Sequence, residues 1–354
     1  MNDLLIIGGG LAGATLAAEA HERGISFKWI ISETIPTASF AAYGMCNPVH
    51  FHNIVPAWKA DDFLELAREF YIHWQSKTGV NFYNPLVVQH LVVDPVELIQ
   101  WRQHVESTDL WKYTTGDLET KLNSFLQPSI VGSVPITASF FVDICKFVLS
   151  IRELLKQQVA NGDFETQELL LQDSRVSWKG ENYQKVIFAE GSIGSNNPFF
   201  SRVPFNLCKG EILVLKIPGL NLQDALHKKI VLLPLGNEHF ICGATYEWDD
   251  LSSEPSQKGK EELLNLLTEI LENKFKPEVV DHKAGVRPTI SDRRPVIGWH
   301  PIHPQLGILN GFGTKGLMVG PACVADLLNN FQTGTPILKD WDVVRFKKRL
   351  SKTS

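Results

Sequence analysis

The sequence lacks paired cysteines and clustered metal ligands. Its five cysteines are dispersed over 354 residues, and no two of them form a C-x-x-C pair. An odd, scattered set is typical of reduced thiols in a cytosolic protein rather than of a disulfide-stapled secreted domain. His50 and His52 lie close together, but no cysteine or carboxylate stands near them at a spacing typical of zinc sites. We therefore expect no disulfide framework and no bound metal.

The sequence also lacks an apolar run of the roughly 18 residues that a membrane-spanning helix requires. Its apolar start does not resemble a signal peptide, because Asp3 stands where a basic region is usual and Gly8–Gly10 interrupts the run. We expect a soluble, cytoplasmic protein without membrane insertion.

Positive charge is in short supply as well. The chain carries 39 acidic and 34 basic residues, for a formal net charge of −5, which gives no electrostatic reason to expect a nucleic-acid partner. The one basic run, Arg345–Arg349, is most simply a solvated surface. A hydrophobic content of 44% with 21% charged residues is typical of a globular protein, and the length fits two domains.

The first thirty residues have the pattern of a βαβ unit. Leu4–Ile7 is a short continuous apolar run, typical of a parallel strand buried on both faces. A glycine turn follows, and then the pattern predicts a helix over Ala14–Arg23 and a second strand over Phe27–Ile31.

The glycine turn between this strand and helix satisfies G-x-G-x-x-G. Gly8 permits the tight turn, Gly10 lets the backbone approach a diphosphate, and Gly13 lets the helix pack closely on the sheet. The diphosphate would lie at the positive end of the helix, against the backbone of Leu11 and Ala12. Because the motif lies between an apolar strand and a helix, we expect a bound dinucleotide.

The acidic residue that usually follows the second strand and binds the ribose is displaced. The regular spacing falls on Ile31, and the nearest carboxylate is Glu33, beyond Ser32. Either Glu33 or Ser32 would contact the ribose, and an exposed Glu33 at a strand end is an equally good interpretation.

The rest of the chain mixes helical and strand patterns. Periodicity predicts helices over 60–77, 95–105, 140–159 and 258–274, and strand-like runs dominate 206–241. The last part returns to a strand (306–309), a glycine turn (311–316) and a helix (317–329). This distribution predicts a nucleotide-binding domain interrupted by a second domain.

Five further blocks occur in order along the chain. They are Ala38–Pro48, Val186–Gly191, Lys209–Glu211, Gly285–Gly298 and Gly311–Gly316. Together they resemble motifs of the D-amino-acid oxidase/glycine oxidase superfamily of FAD-dependent amine oxidoreductases, over nearly the whole chain. In the last block Phe312 replaces a histidine of that family, and Lys315 stands where its members often carry histidine or arginine.

The resemblance implies an α/β fold: a Rossmann-type, glutathione-reductase-like FAD-binding domain with an inserted α+β substrate domain on a mostly antiparallel sheet. We expect the FAD-binding domain to comprise 1–50, 130–205 and 285–354, and the substrate domain 51–129 and 206–284. No cysteine lies near Gly285 in the sequence, so we expect non-covalent FAD. Besides the glycine turn and the ribose candidates, the expected cofactor contacts are Ser39, Ala42, Tyr43, Gly44, Met45, Val176, Ala189, Gly191, Gly311, Gly313, Thr314, Lys315, Gly316 and Leu317.

The resemblance also implies oxidation of an amine or amino acid by hydride transfer from Cα–H to flavin N5, which gives an imine that water hydrolyses. Arg287 matches the family's carboxylate-binding arginine, and its planar fork suits a carboxylate. The alternative is an ion pair of Arg287 with Asp292 or Glu247 that only holds the fold together.

Lys315 is the second candidate catalytic residue. It would neutralise charge at the flavin N1/C2 carbonyl or stabilise superoxide; the alternative is a solvent-exposed lysine in a turn. Backbone amides of Thr314–Gly316 would do the same task without a side chain.

The expected partners are a small amine or amino acid and either O₂ or another electron acceptor. Two other functions stay open. One is processing of an aminomethyl group on a modified tRNA, since the last glycine block also resembles the oxidase domain of a bifunctional tRNA-wobble-uridine enzyme; the absence of an attached methyltransferase domain and the acidic charge argue against it. The other is a non-catalytic FAD-binding protein.

Overall fold

A computed structural model of the chain describes residues 2–34, 37–42, 44–114 and 124–351. The strands in these ranges are β1 (Asn2–Ile7), β2 (Phe27–Ile31), β3 (Met45–Cys46), β4 (Val49–His50), β5 (Val55–Pro56), β6 (Tyr83–Val92), β7 (Gly132–Val142), β8 (Val159–Asn161), β9 (Leu169–Leu171), β10 (Val176–Trp178), β11 (Glu181–Phe188), β12 (Cys208–Lys216), β13 (Ala225–His227), β14 (Val231–Gly236), β15 (His239–Gly243), β16 (Glu278–Arg287), β17 (Val296–Trp299) and β18 (Leu306–Asn310). The α-helices are α1 (Leu11–Glu22), α2 (Ala60–Thr78), α3 (Pro95–Ser107), α4 (Ile144–Leu154), α5 (Gln257–Thr268), α6 (Gly316–Thr333) and α7 (Lys347–Leu350).

The first sheet is the predicted Rossmann-type sheet. Its order is β17-β18-β11-β1-β2-β8, with β10 and β9 added beside β11. The strands β2, β1, β11 and β18 are parallel to one another, and β17 is antiparallel to β18. The continuous apolar run of β1 follows from burial on both faces: Leu4 and Ile6 pack into one core cluster, whereas Leu5 and Ile7 pack into another.

The second sheet is the predicted mostly antiparallel one. Its order is β16-β12-β15-β14-β13-β6-β7-β3, and only the β13–β6 pair is parallel. One face packs on α5, where Leu213 and Leu215 meet Leu263 and Leu267 in one core cluster. The other face joins the core of the first sheet. The fold is therefore the α/β architecture with a Rossmann-type sheet that the sequence predicts.

Two predictions about the middle of the chain were wrong. The helix predicted over 140–159 is the end of β7 followed by the shorter α4, because Phe140 and Phe141 pair with β6 and β3. Asp143 then caps α4, its side chain accepting a hydrogen bond from the Lys146 N–H at 3.0 Å. The helix predicted over 258–274 ends at Thr268, and the long strands β6 and β16 were not predicted.

Sheet membership also departs from the predicted domain boundaries. All of β7, which the boundary at residue 130 assigned to the FAD-binding domain, lies in the second sheet, as do β3 and the end of β16. Chain segments from both sides of the predicted boundaries therefore share one sheet. Within the described ranges, no helix is long and apolar enough to span a bilayer.

Candidate active site

A cavity of about 270 Å³ has walls from both sheets. On the side of the first sheet the cavity is lined by the start of α1 and the turn after β11. On the side of the second sheet it is lined by β12, β16 and the residue after β15. The described residues that line it and that the sequence predicted are Gly8, Gly10, Leu11, Ala12, Ser32, Ser39, Ala42, Gly44, Met45, Ala189, Gly191, Arg287, Gly313, Thr314, Gly316 and Leu317.

The glycine turn packs as the motif predicts. Gly8 has φ +125°, and a Cβ on it would overlap the carbonyl oxygen of Ala189. A Cβ on Gly13 would overlap the carbonyl oxygen of Gly8, so this glycine is needed where α1 meets β1, although it does not line the cavity. The indole of Trp29 donates to the same Gly8 oxygen at 2.8 Å. The turn is therefore held firmly beneath the cavity.

The start of α1 presents backbone N–H groups to the cavity. Gly10 is the N-cap of α1, and because it has no side chain it cannot cap the first N–H groups of the helix. The N–H of Leu11 instead donates to Ser39 Oγ at 2.9 Å. Thr37, beside Ser39, also lines the cavity, and its Oγ1 is buried without a hydrogen-bond partner. Helix N–H groups, a bare glycine and an unpaired hydroxyl together suit a diphosphate.

The small residues of the loop after β2 have a packing reason. The loop continues as a 3₁₀ turn over Ala38–Phe40, on which β16 packs. A Cβ on Gly285 would lie 2.9 Å from Ala38 Cα and 3.0 Å from Ala41 Cβ. Larger side chains at these positions would therefore push the 3₁₀ turn away from β16 beside the cavity.

Arg152 was missed by the sequence analysis. It lies on α4, and its Nη2 donates to the carbonyl oxygen of Gly9, while its guanidinium carbon lies 5.5 Å from the Phe40 ring centroid. Burial lowers its pKa from the usual value, and its Nε has no partner. A fixed cation behind the glycine turn favours a bound anion, but no local motif marks a residue about 140 positions away.

The ribose candidates separate in space. Ser32 lines the cavity, whereas Glu33 does not and accepts a hydrogen bond from Asn161 Nδ2 at 2.7 Å. The Ser32 hydroxyl donates to Asp163 Oδ1 at 2.5 Å, and the Thr34 hydroxyl reaches the same oxygen at 3.1 Å. A carboxylate therefore stands behind Ser32, supplied by the loop after β8 rather than by β2.

Glu190 is a buried carboxyl group in the cavity wall, between Ala189 and Gly191. Burial raises its pKa to about 7, although the Asn197 amide, donating at 2.8 Å, acts in the opposite direction. Glu190 belongs to the Val186–Gly191 block but was not predicted from the sequence as a site residue.

Arg287 lies in the cavity wall without a carboxylate partner among the described residues. Its Nη1 and Nη2 both donate to the Thr245 carbonyl oxygen at 3.2 Å, and Nη1 also donates to the Lys209 carbonyl oxygen at 3.3 Å. The alternative ion pairs were wrong: Asp292 pairs with Arg345, and Glu247 pairs with Lys258.

These carbonyl contacts occupy the end of the Arg287 guanidinium. No described hydrogen bond uses the Nε–H, which lies on the same edge as the outer Nη2–H. That edge is the one that binds a carboxylate side-on through two hydrogen bonds. Cys208 lies opposite Arg287 in the sheet, with its Sγ 3.7 Å from Nη1, but it does not line the cavity.

Lys315 is not the exposed turn residue that the alternative interpretation described. Its Nζ donates to the Asn47 carbonyl oxygen at 2.5 Å, and burial lowers its pKa to about 8. The side chain as a whole is partly exposed, but the ammonium group itself lies inside the protein. Lys315 does not line the cavity, whereas its neighbours Thr314 and Gly316 do.

Four other predicted contacts are absent from the cavity wall or outside the described residues. Val176 was assigned wrongly: it lies in β10, paired with β9 and β11, and is buried in the core on one side of the first sheet. Gly311 packs against Ile290 instead of lining the cavity. Glu33 faces Asn161, and Tyr43 lies outside the described residues.

Comparison with protein-family models decides the family. The model of the FAD dependent oxidoreductase family, DAO, matches residues 3–328. The chain belongs to this family. It is therefore an enzyme, and FAD is its cofactor. The flavin ring supplies a two-electron acceptor, and the residues at the start of α1, together with Thr37, Ser39 and Ser32, would hold the nucleotide part of the cofactor.

Individual relatives are more distant. A glycine oxidase from Bacillus licheniformis is 27% identical over 134 residues, which are 38% of this chain and 36% of the relative. The tRNA 5-methylaminomethyl-2-thiouridine biosynthesis bifunctional protein MnmC of Campylobacter jejuni subsp. doylei is 26% identical over 117 residues, 33% of this chain and 19% of that protein. The matched segments thus span about a third and a fifth of these two relatives.

Solved structures agree on the fold of this DAO-family chain. Glycine oxidase from Geobacillus kaustophilus superposes with a TM-score of 0.78 at 18% sequence identity, over 100% of this chain and 99% of the other. Among the described residues, no group of three or more His, Cys, Asp or Glu side chains is arranged to hold a metal ion.

Proposed function

We propose that this DAO-family enzyme oxidises the C–N bond of a small amine that carries a carboxylate, that is, an amino acid or N-substituted amino acid, with non-covalent FAD. One observation carries the proposal: Arg287 offers an unused side-on edge in the wall of the same cavity that the glycine turn lines. The partial similarity to a glycine oxidase supports the same substrate class.

Arg287 binds and orients the substrate in this proposal. The Thr245 and Lys209 carbonyl oxygens fix the guanidinium plane before a substrate arrives, so little rotamer entropy is lost on binding. When the substrate carboxylate binds to the free edge of Arg287, the rest of the cavity wall determines the direction in which the substrate Cα–H bond points. With FAD bound, the flavin would accept the two electrons and the hydrogen of the Cα–H bond, while the amine loses a proton and the C=N bond forms. Water would then hydrolyse the imine to a carbonyl compound and the free amine or ammonia.

Charge that develops on the cofactor is met by backbone rather than by a side chain. Thr314 and Gly316 lie in the cavity wall at the start of α6, where a helix leaves its first N–H groups without intrahelical acceptors. The Lys315 ammonium is held on the Asn47 carbonyl, outside that wall. We therefore assign charge stabilisation to the amides, with Lys315 fixing the loop after β3 to the last glycine block.

The test is anaerobic reduction of the FAD-loaded enzyme, measured as the loss of flavin absorbance. The compounds to compare are amino acids, N-alkyl glycines and the corresponding amines that lack a carboxylate. We expect carboxylated amines to reduce the flavin at far lower concentration than their decarboxylated counterparts. If no amine reduces the fully loaded enzyme, the proposed function is wrong.

The variants Arg287→Ala and Arg287→Lys distinguish side-on carboxylate binding by the guanidinium from simple attraction to a positive charge. Losing hydrogen bonds to a charged group costs about 1.5–3 kcal/mol, or roughly 10- to 150-fold in apparent substrate affinity. Arg287→Lys should recover little, because an ammonium group lacks the planar fork. Arg294→Ala is the matched control, since Arg294 packs on Trp58 outside the cavity wall. Unchanged kinetics in Arg287→Ala would remove Arg287 from the site.

A further inference from the structure

An exposed pair of aromatic side chains lies beside Arg287, next to the residues that line the cavity. The guanidinium carbon of Arg287 lies 4.6 Å from the Tyr246 ring centroid, and the Tyr246 and Trp248 rings stack at 6.2 Å with an interplanar angle of 25°. Tyr246 is 52% exposed and Trp248 55% exposed. We refer to Tyr246 and Trp248 together as the aromatic wall.

The loop that carries the aromatic wall is fixed from below. The buried Lys209 ammonium donates to Asp250 Oδ2 at 2.6 Å and to Ser252 Oγ at 3.1 Å. Main-chain hydrogen bonds join Lys209 and Glu247 in both directions, at 2.8 and 3.0 Å. The buried Glu211 accepts from the Ser256 N–H at 2.8 Å and from its hydroxyl at 2.7 Å.

This anchoring means that the rings are held outward by an ordered backbone. Burying the charges of Lys209 and Glu211 costs folding free energy, because buried charges require hydrogen-bonding partners. Both residues find such partners in this one surface loop, so the position of the loop is strongly fixed. Two large aromatic side chains, each more than half exposed, also leave apolar area that a ligand can cover.

The geometry relates the wall to the substrate. The guanidinium carbon of Arg287 lies over the Tyr246 ring, and a carboxylate binds in the guanidinium plane, at its edge. A carboxylate on Arg287 therefore lies beside the aromatic wall, and whatever the substrate carries beyond its α-carbon meets Tyr246 and Trp248.

The charge of the loop selects among possible substrate groups. Beside this loop Lys258 and Lys209 are already engaged by Glu247 and Asp250, and Asp249 adds a further negative charge. A second carboxylate or a phosphate on the substrate would therefore meet no free cation on the loop, which lies within the described residues, and would be repelled by Asp249. A planar, uncharged ring gains both apolar burial and stacking.

We infer that the aromatic wall formed by Tyr246 and Trp248 determines substrate specificity, and that the enzyme prefers carboxylated amines bearing an aromatic or similar planar ring over glycine and other small amino acids. This inference rests on the proposed function for its oxidation step, but the binding preference can be measured without turnover.

The binding test uses the FAD-loaded enzyme with phenylacetate and acetate as non-reducing probes, followed by perturbation of the flavin spectrum or by calorimetry. We expect phenylacetate to bind at least about tenfold more tightly than acetate, the ratio expected when an aromatic ring is partly buried. Trp248→Ala should remove most of that ratio and leave acetate affinity nearly unchanged, whereas Tyr246→Ala should lower the ratio and also weaken acetate binding, because Tyr246 contacts Arg287. Equal affinity of the two probes for the unmodified enzyme would overturn the inference.

The turnover test compares phenylglycine-type and phenylalanine-type substrates of both hands with glycine. Trp248→Ala should raise the KM for ring-bearing substrates about tenfold and leave kcat and the KM for glycine nearly unchanged. Trp111→Ala is the matched control, because Trp111 is 61% exposed and lies in the turn over Asp109–Lys112, which packs on α3 and β5. If no amine reduces the flavin but the phenylacetate preference depends on Trp248, the proposed function fails while the ring site stands.

The two exposed rings could instead be covered by a second copy of the chain in a dimer. Size-exclusion chromatography of the unmodified enzyme and of Trp248→Ala distinguishes a substrate site from a dimer interface. A loss of oligomer in the variant, with unchanged selectivity for ring-bearing ligands, would overturn the inference.

Discussion

The Ser39 hydroxyl accepts a hydrogen bond from the Leu11 N–H at 2.9 Å, across the gap between the loop after β2 and the start of α1. A Cβ on Gly10 would lie 3.0 Å from the same hydroxyl oxygen. Ser39 and the glycine turn thus border one narrow space, which is the space that the motif assigns to the diphosphate of FAD.

Gly10→Ala should therefore weaken FAD binding at least about tenfold while leaving the FAD-free fold intact, because a serine hydroxyl can rotate away from the new methyl group. FAD titration and thermal unfolding of the FAD-free protein measure the two effects. The double variant Gly10→Ala/Ser39→Ala removes the contact with Ser39. If it regains normal FAD affinity, the methyl group did not obstruct the diphosphate itself.

Gly8→Ala should behave differently from Gly10→Ala. Its φ of +125° is strained for any residue with a Cβ, and the new methyl group would overlap the Ala189 carbonyl oxygen, which is backbone and cannot rotate away. We expect a loss of about 2 kcal/mol or more in the free energy of unfolding, measured by denaturant unfolding of the FAD-free protein. A stability equal to that of Gly10→Ala would contradict the described backbone of the turn.

The ribose of FAD should depend on Asp163 rather than on Glu33. Asp163 holds the Ser32 hydroxyl at 2.5 Å beside the cavity, whereas Glu33 lies outside its wall. Asp163→Ala should weaken FAD binding by about 1.5 kcal/mol, or roughly tenfold, the scale of a hydrogen bond to a charged group. Glu33→Ala is the matched control and should leave FAD affinity unchanged. The reverse pattern would restore Glu33 as the ribose ligand.

The contrast between Glu33 and Asp163 illustrates what local sequence could predict. The βαβ unit follows from an apolar run, a glycine pattern and a helix within about thirty residues, and the structure has all three. Asp163 reaches Ser32 from 131 residues away and Arg152 reaches Gly9 from 143 residues away. Pairing of β8 with β2 and packing of α4 on α1 create these contacts, so no local pattern marks them.

The misassigned helix over 140–159 has a similar cause. Phe140–Val142 is as apolar as a helix start, but it pairs with β6 and β3, which are distant in sequence. Arg287 was identified by its motif, whereas its partners, the Thr245 and Lys209 carbonyl oxygens, arise only when β12 and β16 pair. Tertiary contacts therefore decide which predicted residues face the cavity.

FAD affinity should fall as the pH rises through about 7. Burial raises the pKa of Glu190 to about 7, so this carboxyl group is neutral below that pH and charged above it. A carboxylate in the same cavity wall as the glycine turn repels a diphosphate. We expect FAD affinity to drop about fivefold, or ~1 kcal/mol, between pH 6 and pH 8.

Glu190→Gln should remove most of this pH dependence and bind FAD more tightly at pH 8, as measured by FAD titration at both pH values. Asn197 can still donate to the amide oxygen of the glutamine, so the fold should be retained. Glu33→Gln, outside the wall, serves as the control for general charge. A pH dependence that persists in Glu190→Gln would assign it to another group.

Lys315→Met should stabilise the protein at pH 7. Burial lowers the pKa of Lys315 from 10.5 to about 8 in the folded chain, with only the Asn47 carbonyl oxygen as its acceptor. Below pH 8 the lysine is charged in both states, and the folded state bears the full cost of burying that charge. Between pH 8 and pH 10.5 the unfolded chain binds more protons than the folded one, so this group makes stability rise with pH.

The difference between Lys315→Met and the unmodified chain isolates this effect, because all other groups titrate in both proteins. The lowered pKa corresponds to at most about 3 kcal/mol, and loss of the hydrogen bond to Asn47 subtracts about 1 kcal/mol. We therefore expect the variant to be more stable by about 2 kcal/mol at pH 7 in denaturant unfolding of the FAD-free proteins. That advantage should shrink steadily from pH 8, reach zero at about pH 9.5, and become a deficit of about 1 kcal/mol above pH 10.5, where only the lost hydrogen bond to Asn47 remains. A stability difference that does not change with pH would mean that the ammonium group is hydrated in the folded protein, and the link between Lys315 and the loop after β3 would then lose its basis.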